Sequence, residues 1–156
     1  FLWLIFVLKL FYILMKIIIL FIFLITLILL TTVSINYFLK PKHIGLHNEK
    51  LNECPHTPNC VYSQSTDEHF IKPLDANIEQ IKKALELLPR VKIVEEKENY
   101  FYVTFTTKIM RYTDDVEFLY DPITKITHVR SASRIGHSDL GKNRERIEHI
   151  RKRLLL

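Results

Sequence analysis

The chain has 156 residues and is short of several residue types: three glycines, six prolines, two cysteines, two methionines and one tryptophan. So little glycine and proline excludes a collagen-like or low-complexity chain. Two cysteines exclude a disulfide-dense mini-scaffold. There is no Walker loop, no dinucleotide-binding glycine fingerprint, no G-x-S-x-G elbow and no RNA-binding aromatic motif. No cofactor, no metal and no nucleic-acid partner is therefore expected.

Acid is also absent from one end. Residues 1–39 hold 32 hydrophobic residues, two lysines and no Asp or Glu. All 17 acids and 20 of the 22 Lys and Arg lie in residues 40–156. The overall 48% hydrophobic content thus averages two different materials. The second, of 117 residues, is large enough for one core and too short for two.

Ile17 to Leu39 is 23 residues without a charge, about 34 Å as a helix and long enough for a bilayer core. From Ile17 to Leu30 only Thr26 is polar, so the polar stripe of a surface helix is missing. Met15-Lys16 precedes this run; translation is expected to begin at Met15, with residues 1–14 upstream of it. The pattern also suits a signal peptide, but Thr32-Val33-Ser34 is a poor small-x-small cleavage site and apolar residues continue to Leu39. The expected organisation is a single-pass signal anchor over 1–39, a polar linker over 40–53 and a soluble domain over 54–156. Lys16 precedes the span and Lys40 and Lys42 follow it, so the positive-inside rule nearly cancels. A very short N-terminal tail favours the domain on the extracytoplasmic, periplasmic side.

Cys54-Pro55-His56-Thr57-Pro58-Asn59-Cys60 is a pre-bent loop, with two prolines and an Asn between two cysteines. Outside the cytoplasm a Cys54–Cys60 disulfide is the expected state. His56 and His69 offer a metal alternative, but the spacing matches no standard zinc pattern.

Further along, Asp75 reads as an N-cap, followed by Ile78, Ile81, Leu85 and Leu88 at helical spacing with Pro89 as a stop. Strand patterns occupy Val91–Glu96, Tyr100–Thr107, Asp114–Tyr120 and Ile126–Arg134, and a final helix runs to Leu154 with Ile147 and Ile150 on its apolar stripe. Short connections predict a largely antiparallel four-stranded sheet. With two helices on one face, the expected fold is a two-layer α+β domain behind a transmembrane helix.

The densest polar stretch is Arg130–Arg146. It leaves a strand, crosses a Gly-containing loop and enters a helix, whose N-terminus offers free N–H groups. Arg130, Ser131, Ser133, Arg134, Ser138, Asn143 and Arg144 are candidate anion ligands, with guanidinium forks suited to phosphate or carboxylate. The plainer reading makes Asp114, Asp115 and Glu117 structural ion-pair partners across the hairpin, with residue numbers summing to about 245 or 246. Ser138 or Asp139 then caps the helix. A cation site on Asp114 and Asp115 is disfavoured because adjacent strand residues point to opposite faces. An alternative takes a hydrolase from the Ser, His, Asp and Arg cluster at 128–144, with His128 or His137 as base. The net charge of +6 over residues 125–156 suits an acidic surface or simply a solvated helix face.

Three segments in order, Cys54–Gln64, Asp114–Phe118 and Arg130–Arg146, closely resemble the family catalogued as domain of unknown function 1499. The resemblance covers about residues 52–153. It implies a small exported or membrane-anchored protein and supplies no catalytic roles. Tyr62 and Thr57 depart from it, standing where small residues are often seen. The expectation is a membrane-anchored extracytoplasmic binding or assembly module with an Arg- and Ser-rich anion-accepting surface. The partners expected are the membrane and an anionic small molecule, lipid head group or protein.

Overall fold

The computed structural model describes residues 1–41 and 43–155, and the side chains of Leu2, Asn36 and Tyr37 are also outside the described set. Lys42, one of the flanking charges weighed for orientation, therefore lies outside the described residues. The chain forms two compact units, Phe1–Phe38 and Leu39–Leu156.

The first unit is one helix, α1 (Leu2–Phe38). Its apolar side chains are exposed along almost its whole length. The hydroxyls of Thr26, Thr31, Thr32 and Ser34 donate to carbonyls one turn back at 2.8–2.9 Å. Polar groups satisfied within their own helix are what a hydrocarbon solvent requires. Trp3–Ile35 is long and apolar enough to cross a membrane. A single-pass anchor and a signal sequence both fit that description.

The second unit is α+β. A two-residue Asn48-Glu49 turn joins β1 (Leu46–His47) to β2 (Lys50–Leu51). Both turn residues have positive φ, 50° and 61°, as a tight hairpin of primed type needs. The main sheet contains β3 (Cys60–Tyr62), β4 (Val91–Glu96), β5 (Tyr100–Thr106), β6 (Thr113–Asp121) and β7 (Ile126–Ser133). It is antiparallel throughout, in the order β3-β7-β6-β5-β4. Five strands stand where four were expected. The extra one, β3, is three residues long and buried at every position, too short to display an alternation.

Two helices cover one face: α2 (Ile78–Glu86) and α3 (Lys142–Arg153). The cap of α2 is Asn77, not Asp75. The Asn77 side chain accepts from Gln80 N at 3.0 Å, and Gln80 Oε1 accepts from Asn77 N at 2.9 Å. This reciprocal box requires an amide three residues on, which Asp75 does not have. Ile78, Ile81 and Leu85 of α2 and Ile147 and Ile150 of α3 pack on Phe101, Val103, Val116, Phe118 and Val129 of the sheet. Alternation sends the other side chains of the same strands to the opposite face. There Tyr62, Tyr100 and Tyr102 form a second cluster with Leu51, half-covered by Ile44, Cys54 and Leu119. The stretch 40–53, expected as linker, thus contributes this short hairpin and a buried leucine.

Candidate functional site

Cross-strand register sets the site. β6 and β7 pair Glu117 with Arg130, Asp115 with Ala132 and Asp114 with Ser133. The partner numbers sum to 247, one residue or more beyond the expected register, because the strands close on Asp121 and Ile126. Asp121 shapes that turn, accepting from Ile123 N at 2.9 Å and Thr124 Oγ1 at 2.6 Å. In consequence Glu117 faces Arg130 and Asp115 lies within reach of Arg134, while Asp114 points to the helix side and meets Arg146 of α3.

On the face away from the helices, Glu117 and Arg130 are 0% and 2% exposed. Arg130 Nη1 donates to Glu117 Oε2 at 3.2 Å. Glu117 Oε1 accepts from Tyr100 Oη at 2.7 Å and from the Gly45 backbone N–H at 2.8 Å. Gly45 has φ of 99°, a conformation natural to glycine. Burial pushes the Glu117 carboxyl up against the opposing effect of these donors. Burial and the Glu117 charge likewise push the Tyr100 phenol up, so it stays a donor.

Asp115 lies beside this pair and is held by Arg134. Arg134 Nε donates to both carboxylate oxygens at 3.1 and 3.0 Å, and Nη2 donates to Oδ1 at 2.7 Å. Nη2 also reaches Tyr102 Oη at 3.3 Å, and Nη1 donates to the Leu39 carbonyl at 2.7 Å. Tyr102 Oη donates to Asp115 at 2.5 Å. Arg134 is thereby engaged through all three nitrogens.

Arg130 is not. Its one recorded hydrogen bond is through Nη1, and its Nε is fully buried without a partner among the described residues. A guanidinium has five N–H donors, and its Nε and Nη2 edge forms the fork that binds carboxylate or phosphate. Arg130 lines a cavity of about 520 Å³. Its other walls are Leu39, His43, Asp115, Ala132, Ser133, Arg134, Ile135 and Gly136, with Pro55, Thr57 and Asn59 from the cysteine loop. The Cys54–Cys60 disulfide closes that loop. Asn59 Nδ2 donates across to the Gly136 carbonyl at 2.6 Å. Segments far apart in sequence thus meet around one cavity.

The remaining candidates lie elsewhere. Ser131 and Asn143 are on the helix side, where Ser131 Oγ donates to Asn143 Oδ1 at 2.6 Å. Asn143 Nδ2 donates to Ser133 Oγ at 3.0 Å and to the Asn59 carbonyl at 2.9 Å. Asp114 pairs with Arg146, which stacks over Phe105 at 4.8 Å and donates to Ser131 at 3.0 Å. Ser138 accepts from Leu140 N at 3.2 Å, and Asp139 accepts from Asn143 N at 2.6 Å. Both line a second cavity of about 380 Å³ with Arg146. Arg144 turns to the Phe70 and Glu68 carbonyls at 2.8 and 3.0 Å. Arg151 and Arg153 likewise donate to carbonyls, of Pro73, Lys72 and Ala84. Much of the basic tail therefore clamps α3 to neighbouring backbone.

Two members of the hydrolase cluster stand apart. His128 and Ser131 lie on opposite faces of β7 by strand alternation, and His128 Nδ1 instead lies 3.3 Å from Ser63 Oγ. Burial pushes the His128 imidazole down. No group of three or more metal-ligating side chains occurs among the described residues. Residue-level reasoning missed Arg146, Asn59 and the two tyrosines. Arg146 had a signal, since it stands three residues after Asn143 on the same helix face.

Fold and site together define a two-layer α+β domain with a buried acid–arginine layer, behind an apolar N-terminal helix. The model of the protein family of unknown function DUF1499 matches residues 50–154. The chain belongs to that family. No curated protein and no solved structure matches the chain.

Proposed function

We infer that the domain is a membrane-anchored, extracytoplasmic binding module that takes an anionic group in the Arg130 cavity. The observation that carries this reading is the buried Arg130 Nε, which has no partner among the described residues. Unpaired buried polar groups are rare and costly. An anion drawn to the Arg130 guanidinium would meet its spare donors with charge-assisted bonds. The ion pairs with Glu117 and Asp115 hold both guanidiniums rigid, which lowers the ordering cost of binding. The disulfide supports the extracytoplasmic side, where oxidised pairs persist.

The test is selective observation of the arginine Nε–H signals of the isotope-labelled full chain in uncharged maltoside micelles. Inorganic phosphate should move the Arg130 signal, and Ile135→Glu, which adds a carboxylate to the cavity wall, should abolish the response. A signal unmoved by every anion tried, soluble or lipid-borne, overturns the reading.

A further inference from the structure

We propose that the anion is the phosphate-bearing head group of an anionic membrane lipid. This rests on the anion-binding reading of the Arg130 cavity and narrows it to one ligand class. Three observations converge on it. The first is the Arg130 guanidinium, whose one hydrogen bond among the described residues is through Nη1 and whose Nε is buried without a partner there; a guanidinium fork matches two oxygens of a phosphate.

The second is the company that edge keeps. Leu39, Pro55, Ala132 and Ile135 share the cavity wall with Arg130. An inorganic ion, hydrated on every side, gains nothing from apolar walls. A phosphoester carrying a hydrocarbon body gains by burying it there. The volume, about 520 Å³, falls in the ordinary range for small-ligand sites.

The third is where the wall begins in the chain. Leu39 directly follows Phe38, the last residue of α1. Its carbonyl is fastened at 2.7 Å by Arg134, the same arginine that grips Asp115. α1 is long and apolar enough to cross a bilayer. By chain connectivity alone, a lipid surrounding α1 is within one residue of Leu39, a wall of the cavity.

The experiment compares two probes on the full chain in dodecyl maltoside micelles, which carry no phosphate and no charge. One arm adds phosphatidylglycerol as a mixed micelle, and the other adds inorganic phosphate. Phosphatidylglycerol should move the Arg130 Nε–H signal and raise the melting temperature by about 4 °C, with inorganic phosphate the weaker probe. Ile135→Glu should lose both responses. Arg130→Lys keeps the charge opposite Glu117 but lacks the fork, and should lose most of the lipid effect. Lys152→Gln, which removes an exposed charge on α3, should keep it.

A response to inorganic phosphate as large as that to the lipid, or larger, overturns the lipid assignment and leaves the anion site standing. No response to either probe overturns both. A lipid effect that survives Ile135→Glu and Arg130→Lys but falls in Lys152→Gln is surface adsorption, and overturns the assignment.

Discussion

Glu117 and Arg130 face each other directly across β6 and β7, both almost fully buried, joined by one hydrogen bond of 3.2 Å. Removing one member of such a pair leaves an uncompensated charge out of water. Glu117→Ala should cost about 3 kcal/mol. Combining Glu117→Leu with Arg130→Met replaces both charges with apolar groups and should recover most of that loss. Denaturant melts of the full chain in micelles check this. Additive losses in the double variant would show that the two residues are not energetically coupled.

The disulfide gives the second expectation. Cys54 and Cys60 are bonded, and no free cysteine is present. Thiol titration of the unfolded chain should find no reactive sulfhydryl before reduction and two after it. Because the closed loop is short, reduction should lower stability by about 2 kcal/mol. It should also weaken anion binding, since Pro55, Thr57 and Asn59 wall the cavity.

The cap of α2 separates two neighbouring residues. Asn77→Ala removes both bonds of the reciprocal box and should cost about 1 kcal/mol. Asp75→Ala touches only an exposed 3.7 Å ion pair with Lys72 and should leave the melting temperature unchanged. Parallel thermal melts distinguish the two.

The basic helix gives a further contrast. Arg144 spends its guanidinium on the carbonyls of Phe70 and Glu68. Arg144→Ala should lower the melting temperature by about 2 °C without changing the Arg130 response to phosphate or lipid. A lost response would return Arg144 to the binding site.

His128 sets a pH dependence. Burial holds its folded pKa below the usual 6.5. Between those two values the unfolded chain binds the extra proton, so stability rises with pH. The contribution is full above about pH 6.5 and is lost as pH falls through the depressed folded value. Stability measured from pH 7.5 down to 5 should fall, and less so in His128→Gln. An identical slope in the variant would assign the loss to other groups.

The long apolar run, the period of α2, the strand patterns at Val91–Glu96 and Tyr100–Thr107 (observed as Tyr100–Thr106), and the cysteine loop were all legible in the chain, because each is local. The alternate apolar residues Phe101, Val103, Val116 and Phe118 are the ones packed under the helices, since a period of two leaves only one choice. The cap of α2 and the strand β3 were not legible. One depended on which of two side chains reaches a backbone N–H, and the other on partners more than sixty residues away.

The acids at 114, 115 and 117 and the arginines of the last segment could be matched in kind from sequence, as partners across a hairpin. Which acid meets which arginine was decided by the register of β6 on β7, fixed by the turn at Asp121. That register places Asp115 and Glu117 on one face with Arg134 and Arg130, and sends Asp114 to Arg146 on the other. A shift of one residue would exchange the faces. The sequence by itself determined that the chain carries an apolar helix and a domain rich in matched charges. Only the tertiary structure decided that one guanidinium, Arg130, is buried with donors to spare, because burial and hydrogen-bond satisfaction belong to the packed neighbourhood and not to the chain.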